Sequence, residues 1–263
     1  MNLPFKLSFT LQRWTNALQV MLEKVKGTPR LDKLRVVQLL EADLDMRLQI
    51  VFGWWLIQWA EDGNNISPLQ WGSRPNRPST DAILMKHLTY DGINICKKVA
   101  IIFNNDGKAA FDRMIPSVGA IALRRLGSSE NAVSAFLQVL QQMKYRVCTA
   151  LGLSDQAYSN VQDWVLGTLQ GSGASPCLWL AITCVLLGAI SKQSSGLTLI
   201  DPRRARSQTR SAETYVDDDT ELVLSMEQTP LEELAKEMHG WQQFWEQLLY
   251  TTGGALALKN ASF

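Results

Sequence analysis

The sequence is poor in histidine, in clustered cysteine and in net charge. It has 2 His and 4 Cys in 263 residues. With only His87 and His239, zinc sites built on His and His-dependent hydrolase chemistry are disfavoured. Cys96, Cys148, Cys177 and Cys184 lie far apart, without metal-ligand spacing, and Met1–Trp14 does not read as a secretory leader. The expectation is reduced, partly buried thiols in an intracellular protein, cytoplasmic or nuclear. Lys and Arg number 26 against 25 Asp and Glu, a formal net charge of +1. A disordered chain would carry more net charge and fewer than 46% apolar residues. The near-neutral total also speaks against a protein that binds nucleic acid through a global positive field. Long apolar runs are missing too. Cys177–Ile190 is uncharged, but a membrane span needs about 20 residues, so it reads as a buried helix.

What is present is unevenly spread. Residues 1–101 hold 13 basic and 9 acidic side chains, and residues 102–210 hold 11 and 6. Residues 211–237 hold 1 basic and 9 acidic. Neutrality is therefore a cancellation between a basic body and one acidic block. Such a block is commonly a solvated face; the sharper reading is a metal site.

Helix and strand signals alternate without a repeat. Leu34–Ala60 has apolar residues at helical spacing and is expected to be a long, mostly buried helix, with Trp54, Trp55 and Trp59 on it. Gly63–Pro78 is rich in turn formers, and Trp71 within it is the better candidate for a surface tryptophan. Ser79–Lys97 predicts a helix capped by Ser79 or Thr80 with Asp81 in the first turn. Val99–Phe103 predicts a buried strand. Val118–Leu126, Ala132–Met143 and Pro230–Tyr250 predict helices, the last amphipathic. Tyr145–Ser159 fits two short strands, Glu213–Leu224 a hairpin, and Gly254–Leu258 a short strand.

Three segments carry possible chemistry. The first is Ile101-Ile102-Phe103-Asn104-Asn105-Asp106, continuing to Phe111-Asp112. A carboxylate at the lip of a buried strand can hold a divalent cation with one side open, although an Asp after a strand also serves as a helix cap. The second is Gln170-Gly171-Ser172-Gly173-Ala174-Ser175-Pro176. Gly171 and Gly173 would let the backbone approach another molecule closely, and Pro176 suits a helix start whose free N–H groups can face phosphate or base. A plain helix-entry loop is the alternative. The third is Tyr215-Val216-Asp217-Asp218-Asp219-Thr220. Adjacent carboxylates repel unless a cation, solvent or protonation offsets them. The spacing does not fit an EF-hand, and the flanking strand formers count against a merely exposed acidic turn.

In this order, strand-Asp-x4-Phe-Asp, Gln-Gly-x3-Ser-Pro and Tyr-Val-Asp-Asp resemble the motifs of a reverse transcriptase, the RNA-directed DNA polymerase of retroelements and retrotransposons. Upstream, Lys33-Leu34-Arg35-Val36-Val37-Gln38-Leu39-Leu40 is similar to that family's fingers segment. Gln70-Trp71-Gly72-Ser73-Arg74-Pro75-Asn76-Arg77 with Ser79-Thr80-Asp81 looks like its Gln-x-Gly-Phe-Arg region. Gly253-Gly254-Ala255-Leu256-Ala257-Leu258-Lys259 resembles its lysine-bearing strand. The resemblance covers roughly residues 30–263.

The resemblance implies an α+β fold, a right-hand palm with an antiparallel sheet and helical fingers. Residues 1–98 would be a fingers-like region, and 99–263 a palm with interleaved fingers helices. It implies two Mg²⁺ ions, or Mn²⁺, held by Asp106, Asp217 and Asp218 as the catalytic carboxylates. Lys33 and Arg35 would meet the triphosphate of the incoming dNTP. Phe111 would be the gate against a ribose hydroxyl, Gln170 and Gly171 would line the templating pair, and Lys259 would meet the pyrophosphate. Arg74, and Arg203, Arg204 and Arg206 in a Ser/Gln/Arg-rich loop, would follow the backbone of RNA template and DNA primer. No membrane partner is implied.

The sequence departs from the family at Val36, where Pro is usual, at Ser73, Asn76 and Pro78, and at Asp219, which lengthens the acidic tip. The chain stops four residues after Lys259, so a thumb is expected to be absent. An RNase H or endonuclease is expected elsewhere in a longer polyprotein. A second reading is an inactive retroelement remnant that only binds nucleic acid or a partner protein. A third, a palm-fold cyclase, fits the Gln-Gly-x3-Ser-Pro segment poorly.

Overall fold

A computed structural model describes residues 3–28, 30, 33–107, 110–159, 167–193, 196–201, 203, 206–216, 218–224 and 230–256. The elements in chain order are α1 (Leu3–Leu7), β1 (Asn16–Glu23), β2 (Leu34–Leu39), α2 (Ala42–Leu48), a π-helical stretch (Gln49–Leu56), α3 (Ile57–Asp62), α4 (Ser79–Ile95) and β3 (Ala100–Asp106). There follow α5 (Ala110–Arg113), α6 (Pro116–Arg125), α7 (Glu130–Gln142), β4 (Lys144–Thr149), β5 (Gly152–Leu153), β6 (Tyr158–Ser159) and α8 (Ser175–Ser191). The last are β7 (Leu197–Asp201), β8 (Arg206–Arg210), β9 (Ala212–Tyr215), β10 (Asp218–Leu224) and α9 (Leu231–Thr251).

These elements form two compact units, each made of two stretches of chain. The first holds residues 1–63 and 111–181, the second 64–110 and 182–263. Each unit thus draws on both sides of the 98/99 division expected from the sequence.

In the first unit, β2-β1-β4-β5 form a sheet, with β6 also paired to β4. β1 runs antiparallel to β2 and parallel to β4. Phe5, Trp14, Phe52 and Phe136 meet ring to ring in the adjoining core. In the second unit, β3-β10-β9 form an antiparallel sheet, and β7 and β8 form a separate hairpin. Successive side chains of a strand point to opposite faces. One face of the β3–β10 pair presents Ile102, Leu222 and Leu224 to Ile93 of α4 and Leu197 of β7. The other presents Ile101, Phe103 and Val223 to Leu234, Met238 and Trp241 of α9.

Several expectations need correction. Leu34–Leu39 is strand, not the start of a long helix: Val36 and Val37 suit the pleat, and the segment pairs with β1 throughout. The helical run begins at Ala42. Buried Leu44, Leu48, Phe52, Leu56 and Ala60 recur every four positions, with Ile57 buried beside Leu56. That spacing, wider than the 3.6 of an ideal helix, turns Trp54, Trp55 and Trp59 outward, at 60%, 60% and 54% exposure. Trp71 has the opposite fate and is 5% exposed, between the guanidinium groups of Arg77 and Arg210 at 5.1 and 5.8 Å from its ring centroid. The cap of α4 is Pro78, with no side-chain bond, so Ser79 is already helical. Leu197–Asp201 and Arg206–Arg210 pair as strands of a hairpin, where a loop was expected around the arginines. Among the described residues no helix is long and apolar enough to cross a membrane.

Candidate active site

β3 extends through Asn104 and Asn105 to Asp106 because β10 pairs with it over its whole length. The register sets Asp218 opposite Asp106, Asp219 opposite Asn105, and Thr220 opposite Asn104. Opposed residues of antiparallel strands have Cβ atoms about 4.5–5.5 Å apart. Two carboxylates expected from motifs more than a hundred residues apart are thus brought face to face at a strand end. Asp218 is exposed and Asp106 half-buried.

β9 and β10 are joined by a two-residue turn, since Tyr215 pairs with Asp218. Val216 is the described residue of that turn, and Asp217 lies outside the described residues. Val216 has φ 60°. A β-branched residue in the left-handed region is strained by roughly 1–3 kcal/mol and persists only where its surroundings enforce it. The enforcing segment is Leu69–Gly72. Thr214 N–H donates to Leu69 O at 3.0 Å, and Trp71 N–H donates to Thr214 O at 2.9 Å. The buried Gln70 amide donates to Thr183 Oγ1 at 2.6 Å and accepts from the Thr214 hydroxyl. A Cβ on Gly72 would lie 2.3 Å from Val216 N, so only glycine fits against this turn. Arg74 Nη1 donates to the carbonyls of Ser67 and Gln70 at 3.1 and 2.7 Å, which makes its guanidinium a tie for the same segment.

On the face that carries Asp106 and Asp218, Thr220 Oγ1 donates to Asn104 Oδ1 at 2.9 Å and accepts from Lys86 Nζ at 2.7 Å. Burial lowers the Lys86 pKa, while the charges of Asp218 and Asp219 act to hold its proton. The other face is different. Asn105, Asp219 and Glu221 are buried at 4%, 3% and 3% exposure. Asn105 Nδ2 donates to Asp219 Oδ2 at 3.3 Å. Asp219 Oδ1, Asn105 Oδ1 and both Glu221 carboxyl oxygens have no hydrogen-bond partner among the described residues. Desolvation, reinforced by the Asp219 charge, pushes Glu221 up to about 9, and desolvation also raises Asp219. A proton on Glu221 lets one carboxyl donate to the other. The formal acidity of residues 211–237 therefore overstates their working charge.

The Gln-Gly loop is built in the other unit. Gln38 N–H donates to Gln170 O at 2.7 Å. Gly171 has φ +112°, and a Cβ there would meet Gln38 O at 2.7 Å. Gly173 N–H donates to Asp45 Oδ1 at 2.7 Å, and a Cβ on Gly173 would strike the backbone of Gln49. The loop is thus clamped between β2 and the helical run after it. Phe111 is half-buried and its ring lies 6.2 Å from that of Trp179, while its carbonyl accepts from Thr168 N–H at 2.8 Å. Lys33 and Arg35 are exposed on the same unit.

In the Asp106 unit, Arg203 and Arg206 are exposed on the β7–β8 hairpin, with Arg203 N–H bonded to Asp201 Oδ1 at 2.9 Å. Arg210, at the other end of β8, is buried and paired with Glu213, and desolvation lowers it to about 10. Arg204 and Lys259 lie outside the described residues, as do the last two residues of the Gly254–Leu258 strand candidate, of which Leu256 bridges Gly107.

Solved structures share this fold. Telomerase from Candida albicans in complex with the TWJ fragment of telomeric RNA superimposes with a TM-score of 0.58 at 12% identity, over 95% of this chain and 42% of that one. Telomerase from Candida tropicalis in the corresponding complex gives 0.58 at 11% identity, over 96% and 41%. The apo enzyme from Candida tropicalis, truncated from its C-terminal domain, gives 0.53 at 11% identity, over 97% and 51%. The fold is reverse-transcriptase-like. The chain spans about half or less of these telomerase chains. No family model and no curated protein matches the sequence.

Sequence reasoning missed Lys86, Gly72 and Thr220 as parts of the site, and missed the burial of Glu221. Gly72 stood inside a quoted motif. Lys86 gave no signal, because its neighbours on α4 read as an ordinary helix. Among the described residues no three His, Cys, Asp or Glu side chains gather to hold a metal; the third carboxylate of the expected trio is Asp217.

Proposed function

We propose that this chain is part of an RNA-directed DNA polymerase of the retroelement type. It would join a dNTP to a primer 3′-hydroxyl on an RNA template. The observation that carries the reading is the pairing of Asp106 with Asp218 at the ends of two antiparallel strands, beside a turn held in a strained conformation. The donor set fits a hard divalent cation, which takes carboxylate oxygens and keeps open positions for water and phosphate. Asp106, Asp217 and Asp218 would hold two Mg²⁺ ions, or Mn²⁺. Such a pair of ions activates an attacking hydroxyl and stabilises charge on the departing pyrophosphate.

The remaining roles rest on the residues themselves. Arg35 offers a guanidinium fork and Lys33 a point charge to a triphosphate. Phe111 is fixed through its backbone and presents a ring that would exclude a 2′-hydroxyl. Gln170 and Gly171 belong to a loop rigid enough to support a templating base pair. Lys259 would meet the pyrophosphate. Arg203, Arg204 and Arg206 would follow the nucleic-acid backbone, so binding should weaken steeply with salt. Arg74 acts on nucleic acid indirectly, by holding Leu69–Gly72 against the Tyr215–Asp218 hairpin.

The test is primer extension on poly(rA)/oligo(dT) by the protein expressed from its full open reading frame. Asp218→Asn and Asp106→Asn should each lower product formation on the order of a thousandfold or more, since metal-ion charge stabilisation contributes several kcal/mol. Unchanged product would sink the site assignment. Salt-sensitive RNA binding without any extension would favour a remnant that only binds.

A further inference from the structure

The face of the β3–β10 pair that carries Asp106 and Asp218 also carries a cation that the polymerase reading does not use. Lys86 projects from α4, the helix that covers this face. Its Nζ lies 2.7 Å from Thr220 Oγ1, and that hydroxyl lies 2.9 Å from Asn104 Oδ1. Thr220 is two residues on from Asp218 along one strand, and Asn104 two residues back from Asp106 along the other. The ammonium therefore sits one step behind the carboxylate pair, on the same face, and half-buried. Both Asp218 and Asp219 act on its charge. Like charges directly opposite each other across two strands are destabilising, and a lysine without countercharge is costly to bury even in part. Placing the groups together lowers both costs in part.

We propose that Lys86 is the built-in counter-cation of the Asp106–Asp218 pair: it offsets carboxylate repulsion in the metal-free chain and weakens the binding of divalent cations there. The second half rests on the reading of Asp106 and Asp218 as metal ligands; the first does not. Lys86 is a positioning residue. It makes the metal site dependent on the local ion concentration, because each incoming cation meets a resident positive charge.

Two measurements separate the halves. The first is a double-mutant cycle on unfolding in EDTA, with Lys86→Gln, Asp218→Asn and the double variant. Glutamine keeps a donor for Thr220 and removes the charge. If Lys86 is the counter-cation, the two changes couple, and Lys86→Gln costs less once Asp218 is neutral. Strict additivity overturns the proposal and leaves Lys86 a tie between α4 and β10. If Lys86→Gln fails to fold by itself, the double variant with Asp218→Asn should regain stability, because the charge it lacks no longer has a carboxylate to offset. A double variant no more stable than Lys86→Gln also overturns the proposal.

The second measurement is Mn²⁺ titration by electron paramagnetic resonance. Lys86→Gln should bind Mn²⁺ roughly five- to fiftyfold more tightly, and Lys86→Arg close to wild type, as expected for removal of one nearby positive charge. Equal affinity in wild type and Lys86→Gln overturns the metal-weakening role. Absence of Mn²⁺ binding at this site, with wild type indistinguishable from Asp218→Asn, would instead overturn the polymerase reading, while the coupling in EDTA still decides the role of Lys86 as counter-cation.

Discussion

Asp218 and Asp219 are neighbours on one strand, yet they live in different media. Asp218 points to the face shared with Asp106, Thr220 and Lys86 and is exposed. Asp219 points to the face shared with Asn105 and Glu221 and is buried. A strand has a side-chain period of two, so one residue of displacement separates a carboxylate open to water from one that burial drives toward its neutral form. The acidic tip is thus two acidic sites back to back. One is suited to a cation, the other to a proton.

The sharpest way to expose the contrast is pH. Glu221 holds its proton up to about pH 9 in the folded chain, against an ordinary value of 4.5. Between those values the folded state binds the extra proton, so stability falls as pH rises through the window. The limiting slope is about 1.4 kcal/mol per pH unit for one proton. The contribution is whole below pH 4.5 and gone above pH 9. The raised pKa of Asp219 acts in the same direction. Urea midpoints recorded against pH should show this decline, and Glu221→Gln should flatten much of it. A decline of equal steepness in Glu221→Gln would mean that the buried face does not hold the proton.

Gly72→Ala attacks the exposed face from its support. A methyl 2.3 Å from Val216 N must displace the hairpin, at a cost of about 3 kcal/mol, the upper range for overpacking. Denaturant unfolding measures it; a loss under about 1 kcal/mol would show that the turn yields. Thr220→Val removes the link between Lys86 and Asn104 and should cost about 2 kcal/mol, because two polar groups lose their partner. The smallest expected effect is a gain. Val216→Gly relieves a left-handed β-branched residue and should stabilise the chain by about 0.5–1 kcal/mol, after the extra entropy of glycine is counted. A net loss would locate the benefit of Val216 in its side chain rather than in its backbone.

Much of the site was legible before any coordinates. Asp106 at a strand end and a hairpin around Asp217 and Asp218 follow from short apolar runs that stop at acidic residues, and the order of the motifs joined them. The glycines at 171 and 173 were expected to let another molecule approach, whereas their space is taken by the chain's own Gln38 and Gln49. The faces of elements were harder. Trp54, Trp55 and Trp59 face outward because the helical run from Ala42 widens its repeat to four residues, a change that 3.6-residue periodicity does not encode. Trp71 is buried because two arginines stack on it, a partnership set by β8 and by the turn at Arg77. The hairpin at 197–210 has too many arginines and serines to announce strands; its pairing is supplied by the chain coming back on itself. Glu221 could not be told from a solvated acid, since alternating charges on a strand look the same whether water or α9 covers them.

The antiparallel pair β3–β10 also sets a clock. Asn105 and Asp219 meet across 114 positions of sequence, and each unit is interrupted by residues of the other. At roughly 5–20 residues per second of synthesis, the strand that ends at Asp106 waits on the order of 6–23 s for its partner to leave the ribosome. Throughout that interval Ile101, Ile102 and Phe103 have an open edge and no β10 to cover it. The carboxylate pair is therefore among the last features to form, and a ribosome that stalls between the two motifs leaves a sticky strand rather than a weakened site.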